Sequence, residues 1–491
     1  MNPRRIAALP VDARPAVREQ VQMLAALGGW DLRMPAAAQL GHLRQGADRA
    51  GLAAWLEAEA AQAEGFVISL DMLAYGGLVP SRFIDDPLED LAGYMALLPR
   101  LKAAWPDKPL YVFAATMRIS NNNVNEEEKT YWSEHGAAIW RWSWLTDARD
   151  PQAAAAAEAI PAHIRADYLA TRERNFALTL RALDLAATGV IDRLVLPQDD
   201  TAQYGFNIAE RRRLEQQIAA RGLQERVLVY PGADEVIHTL CAHMAGRLQH
   251  AAPLRFHLRC SDPENVSGLR ALYEDRPVLD SLASQVHAAG GILVGQADEA
   301  DVILGLHSCG KAQGDWAMQA PLPQPKAVSP DWLAFMARCH AQGKPVAIAD
   351  LAYANGGDPA MMGALAGAMP LAGLAAYAGW NTASNSIGSL VAQCVFAQGR
   401  YDSPGNRQVL ALRLLEDLLY QAVVRQAVRL GARDDAFTAD ALRERVDQIF
   451  TAHANAWAAG HALGWEVARV DLPWDRTFEI GLTLRPAGGT Q

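Results

Sequence analysis

Long apolar runs are missing from this chain. No stretch approaches the roughly 18 uninterrupted apolar residues of a spanning helix; "GLVPSRF" and "AGLAAYAGW" are short and bounded by turn formers, so no membrane partner is expected. Positive charge is in deficit: Lys and Arg total 45 against 55 Asp and Glu, a formal charge of -10, with no long basic run. Phosphate-backbone binding, and with it a nucleic-acid partner, is therefore a poor fit. Cysteine is scarce. Cys241, Cys260, Cys309, Cys339 and Cys394 are odd in number and lack metal-ligand spacing, which argues against a disulfide framework or zinc knuckle and for a reducing, cytoplasmic setting. The opening "MNPRRIAALPVDARP" is interrupted at Asp12 and Arg14 before a signal-peptide core develops, and is expected to be the first strand. Also missing are a phosphate-cradling Gly-rich signature, a dinucleotide fingerprint after the first strand and a Gly-x-Ser-x-Gly elbow. Nucleotide hydrolysis, nicotinamide chemistry and serine esterase chemistry lose ground accordingly, and no cofactor is expected.

What is present is a globular balance, 51% hydrophobic and 20% charged over 491 residues, enough for about two or three units. Short Val, Ile, Leu and Phe runs alternate with long Ala, Leu, Glu and Arg segments, the pattern of an α/β protein with parallel sheets. Expected strands end in "IAALPVD", "FVISLD", "LYVFAATMR", "RLVLPQDD" and "RVLVYPGADE". A second set comprises "LRFHLRC", "GGILVG", "DVILGLH", "PVAIAD" and "LAAYAGW". Near-continuous apolar strands require cover on both faces. The expectation is two parallel-sheet units, barrel-like or doubly wound, over 1–250 and 251–400. A helical appendix over 401–491 follows, ending in an edge strand at "TFEIGLTLRP". No internal repeat is evident.

Polar residues gather where the apolar runs stop. In parallel α/β folds those carboxyl ends open on one side, so residues remote in sequence can share a cleft; equally, Asp and Asn there can cap the next helix. In "LPQDDTAQYGFN" Asp199 and Asp200 are adjacent acids. Held in a low-dielectric cleft, one has its pKa raised and suits a general acid while the other stays ionised and orients substrate, which makes them the catalytic candidates. Contacts to substrate are expected from Asp12 and Arg14, from Asp71, Tyr75 and Arg82 of "SLDMLAYGGLVPSR", and from Arg118. Asp234 and Glu235 of "YPGADE", Asp350 and Asn355 of "ADLAYANGGD", and Trp380 and Asn381 of "GWNTASN" complete the set. Arg82 offers a planar donor fork and Trp380 a flat apolar face for a polar ring. Glu235 and His238 share a helix face, so Asp234, Glu235 and His238, with His307, form a metal-dependent alternative; without a second such pair, no metal is assigned. Trp132, Trp140, Trp142 and Trp144, close behind Asn121, Asn122 and Asn123, suit either a lid or a packed helical layer.

In order along the chain, "LPVDARP", "SLDMLAYGGLVPSR", "LPQDDTAQYGFN", "YPGADE" and "GWNTASNSIG" resemble the bacterial family called domain of unknown function number 4127, over nearly the whole length. The resemblance implies a bacterial source and transfers no residue role. A shorter likeness concerns "LPQDD", which closes the fourth clear strand as adjacent acids do in substrate-assisted N-acetylhexosaminidases. It implies that Asp199 orients the acetamido group and Asp200 protonates the leaving oxygen. The chain is thus expected to be a carboxylate acid/base hydrolase of a saccharide or other small polyhydroxylated molecule. The alternatives are the metal-dependent hydrolase and a non-catalytic two-lobed binder of a sugar or metabolite.

Overall fold

The structure, a computed structural model, describes residues 4–317, 327–429 and 434–488; positions 430–433 of the expected helical appendix, and 489–491 at its end, lie outside them. The described residues divide into two compact units, one drawn from those within 4–22, 29–244 and 273–275, the other from those within 23–28, 245–272, 276–317, 327–429 and 434–488.

The first unit is built on six parallel strands: β1 (Arg4–Leu9), β2 (Trp30–Arg33), β3 (Gly65–Ser69), β4 (Leu110–Phe113), β5 (Arg193–Gln198) and β6 (Val227–Pro231), in the order β2-β1-β3-β4-β5-β6. The burial of β3 and β4 is continuous along both strands, as expected when helices cover both faces. The chain runs from β1 outward to β2, then crosses back to β3 and proceeds the other way. With right-handed crossovers, that reversal sends the connecting helices to opposite faces and leaves a crevice at the carboxyl ends of β1 and β3. Neither parallel sheet closes into a barrel among the described residues.

The second unit holds β7 (Arg255–Cys260), β8 (Ile292–Leu293), β9 (Val302–His307), β10 (Gly314–Asp315), β11 (Val346–Asp350), β12 (Tyr353–Ala354) and β13 (Ala376–Ala378). Its main sheet is again wholly parallel, in the order β13-β11-β9-β7-β8. Read from the other edge, this is the first unit's winding repeated: the opening strand sits inside, the second beside it, and the rest on the far side. Helices Pro404–Arg413 and Ala439–Gly460 flank a π-helical stretch, Leu414–Val424, and pack through Leu410, Leu414, Leu418, Val446 and Phe450 into the second unit's core. The final strand β15 (Gly481–Pro486) pairs antiparallel with β14 (Trp465–Asp471) in a sheet of two. No helix among the described residues is long and apolar enough to cross a membrane.

Candidate functional site

In the first unit the strand ends bring ten charged groups together. Beyond β1, the Arg14 guanidinium donates to Asp12 Oδ2 at 2.8 Å and to Asp234 Oδ1, beyond β6, at 2.6 Å. Beyond β3, Asp71 begins a single π-helical turn, Asp71–Tyr75, and its Oδ2 accepts from the Ala115 backbone N–H at 2.9 Å. The turn ends at Gly76 in the left-handed region (φ 81°), where a Cβ would sit 2.9 Å from the Ala47 nitrogen. Only glycine fits both constraints. The chain then reverses to present Arg82, whose loop is held by the helix Ala162–Ala187: Asn175 Nδ2 and Arg174 Nη2 donate to the Ser81 carbonyl at 2.9 and 3.3 Å.

Arg82 and Arg118 divide the carboxylates between them. Arg82 Nη2 donates to Asp199 Oδ2 at 2.9 Å and Nη1 to Glu127 Oε2 at 3.0 Å. Arg118 Nη1 reaches Asp200 Oδ2 at 3.0 Å, Nε reaches Glu128 Oε1 at 2.8 Å, and Nη2 lies 3.1 Å from the same Glu127 oxygen. Glu127 therefore bridges the two arginines, while adjacent Asp199 and Asp200 are drawn to different ones. Between them the backbone of Asp200 takes φ 34°, a left-handed conformation that costs a non-glycine residue about 1 kcal/mol and persists where its surroundings impose it. Neither aspartate caps the next helix. Phe206, its first residue, donates its N–H to Ser143 Oγ at 2.7 Å, and Gly205 N donates to Asp147 Oδ2 at 3.1 Å.

Three guanidinium groups here face seven carboxyl groups, those of Asp12, Asp71, Glu127, Glu128, Asp199, Asp200 and Asp234. In a low-dielectric site not all seven can ionise, so protons must be retained. Burial, opposed by the Ala115 N–H and reinforced by the charge of Asp199, pushes Asp71 up to about 7. Asp200 is likewise raised, by burial and by Asp199, against the pull of Arg118 and Arg82. Asp234 is raised by burial, which outweighs Arg14, and by Asp12 and Asp199. The acids are thus coupled across four strand ends. Solvent reaches them unevenly: 26% of the Asp200 side chain is exposed against 10% for Asp199 and 2% for Arg82. Asp200, raised by burial and by Asp199, is also the more exposed of the adjacent pair.

Two residues expected in this site have other surroundings. Tyr75 is buried below the turn with Arg174 over its ring. The Glu235 carboxylate folds back on its own loop, accepting from Ala233 N at 3.0 Å and occupying the space a Cβ on Gly232 would need. Glu127 and Glu128 were not singled out from the sequence, although three consecutive glutamates at 126–128 marked the segment. The tryptophans behind them build a layer: Trp132 and Trp142 are buried with Met117, Ile119, Ile139 and Tyr168. Among the described residues no three His, Cys, Asp or Glu side chains gather so as to hold a metal ion.

In the second unit, Asp350, Asn355, Trp380 and Asn381 lie at the carboxyl ends of β11 and β13. Asp350 Oδ2 accepts from Tyr377 Oη at 3.0 Å and from Asp358 N at 2.7 Å, and burial pushes this carboxyl up to about 6. Asn355 and Asn381 both take left-handed backbones (φ 59° and 67°), and the Asn355 N–H donates to the Asn381 carbonyl at 3.0 Å. The Trp380 indole is 3% exposed and packs 5.9 Å from the Phe478 ring, so it offers no open stacking face. Thr382 supplies the cap of the following helix.

The family described as "Protein of unknown function (DUF4127)" matches residues 6–483. The chain belongs to this family. No curated protein and no solved structure matches the chain. The family match spans both sheets and the C-terminal helices, so the two strand-end clusters both fall within it.

Proposed function

We propose that the chain is a carboxylate acid/base hydrolase of a carbohydrate-like or other polyhydroxylated small molecule, with its working groups at the carboxyl end of the first sheet. The observation that carries this is the pair Asp199 and Asp200, held by different arginines, with Asp200 the more exposed of the two and raised by burial and by Asp199. Asp200 gives its proton to the leaving oxygen. Asp199, fixed by Arg82, orients the substrate group that attacks or stabilises the reacting carbon. The surplus of carboxyl oxygens around them suits a ligand rich in hydroxyl donors.

A panel of chromogenic glycosides tests the proposal. At least one should be turned over, and Asp200→Asn should lower kcat by about 10²- to 10⁴-fold with KM little changed, the usual contribution of a positioned acid. Turnover of no member of the panel, or a wild-type rate in the variant, counts against it.

A further inference from the structure

The second unit carries a Ser–His–Asp array at the point where sheets of this winding bind ligands. From β7 the chain goes to β8 on one side and then to β9 on the other, so the carboxyl ends of β7 and β9 border the crevice. Ser261 is the first residue past β7 and His307 the last of β9. The Ser261 hydroxyl lies 3.0 Å from His307 Nδ1, and His307 Nε2 lies 3.0 Å from Asp358 Oδ2.

The partners around this line decide which atom holds which proton. Asp358 Oδ1 accepts from Ala360 N at 2.9 Å at the start of the helix Pro359–Ala368. Burial pushes Asp358 up, but the His307 hydrogen bond and charge and the helix N–H groups outweigh it and hold the carboxyl below its ordinary range. An ionised Asp358 fixes the imidazole proton on Nε2 and leaves the Nδ1 lone pair facing Ser261. The Ser308 N–H donates to Ser261 Oγ at 3.2 Å, which leaves the serine's own proton for Nδ1; the competing acceptor, the Ser308 carbonyl, is farther away at 3.4 Å. Exposure rises along the array, 2% at Asp358, 3% at His307 and 8% at Ser261, so the nucleophile is its more open end.

Unpartnered buried polar atoms lie at the same end of the sheet. Ser308 Oγ, next in the chain to His307, is buried without a hydrogen-bond partner, as are Asp350 Oδ1 and Asn355 Oδ1 beyond the adjoining strand. Buried polar groups are normally paired, and three orphans at one sheet end point to a bound molecule with polar atoms of its own.

We propose that Ser261 is an acyl-transfer nucleophile, with His307 as its base and Asp358 as the residue that orients the base, acting on a small carboxylic ester. Ser261 Oγ attacks the carbonyl carbon as its proton passes to His307 Nδ1. The adduct then expels the alcohol, which takes that proton. Water, giving a proton to His307, cleaves the acyl-serine to the free acid and restores the hydroxyl. The unpartnered Ser308 Oγ is assigned as the donor to the carbonyl oxygen. A triad is defined by geometry and roles, so the absence of a Gly-x-Ser-x-Gly elbow does not weigh against it.

The test is phosphorylation of the full chain by diisopropyl fluorophosphate, with mass spectrometry of the peptide containing Ser261. One adduct per chain is expected on Ser261, absent in Ser261→Ala and at least 100-fold slower in His307→Asn. The proposal is overturned by an unlabelled Ser261 in the folded wild-type protein, or by a His307→Asn variant that labels at the wild-type rate. Should His307→Asn fail to fold, Asp358→Asn decides, since it removes the carboxylate that orients the imidazole: slower labelling of Ser261 is expected, and labelling at the wild-type rate overturns the proposal.

Discussion

Asp71 makes the electrostatics of the first site testable without a substrate. In the unfolded chain its carboxyl ionises near 3.8, whereas in the fold burial raises it to about 7. The folded state therefore keeps a proton that the unfolded state has lost, and stability must fall as pH rises through this window. Below about pH 4 both states are protonated and no penalty exists. Between about pH 4 and 7 the penalty grows by about 1.4 kcal/mol per pH unit. It levels off above pH 7 at about 4 kcal/mol, the three-unit shift converted at that same rate. Asn at this position cannot ionise, and its carbonyl oxygen can still accept the Ala115 N–H. Asp71→Asn should match the wild-type protein within its own fixed offset at pH 4 and exceed it by about 4 kcal/mol more at pH 8. Urea unfolding of both proteins across this range, followed by tryptophan fluorescence, reads the difference and cancels groups common to both. A gap that stays flat with pH is the contrary result, because an Asp71 held ionised in the fold would leave both states ionised and the gap nearly constant above about pH 5.

Other perturbations follow from the same geometry. Arg82→Met strands Asp199 and Glu127 without one of their cations and should destabilise the first unit by about 3–5 kcal/mol in urea unfolding; adding Asp199→Asn should restore part of that loss. Gly357→Ala places a Cβ 2.0 Å from Tyr377 Oη and 2.8 Å from Asp350 Oδ2. It should cost about 1–3 kcal/mol and lower the melting temperature. Thr382→Ala removes the cap accepting from Asn385 N, with an expected loss of about 1 kcal/mol, whereas Thr382→Ser should be close to neutral.

The α/β class was legible because β3, β4, β5, β9 and β11 are near-continuous apolar runs that suit only strands covered on both faces. Trp30–Arg33 escaped notice because, as an edge strand, it is short and carries Asp31 and Arg33; β14 is similarly mixed. The shared winding of the two sheets leaves no trace as a sequence repeat, since it resides in strand order. Adjacent acids at 199 and 200 announced themselves, but the division of labour between Arg82 and Arg118 depends on side-chain reach across 117 and 82 residues of chain. Ser261, His307 and Asp358 were harder still. Each is an isolated polar residue at a strand or helix end, 46 and 51 residues from its partner, and chemistry appears only when the crevice brings them together.

The proposed hydrolysis needs Asp200 to carry a proton at the exposed edge of the first site under neutral conditions. Carbon-13 NMR titration of carboxyl-labelled aspartate, with the Asp200 resonance assigned by its loss in Asp200→Asn, measures this directly. A midpoint well above the ordinary 3.8 of an aspartate is expected. A midpoint at or below that value would show Asp200 to be an ionised partner of Arg118 and would remove the proton donor on which the proposed hydrolysis rests.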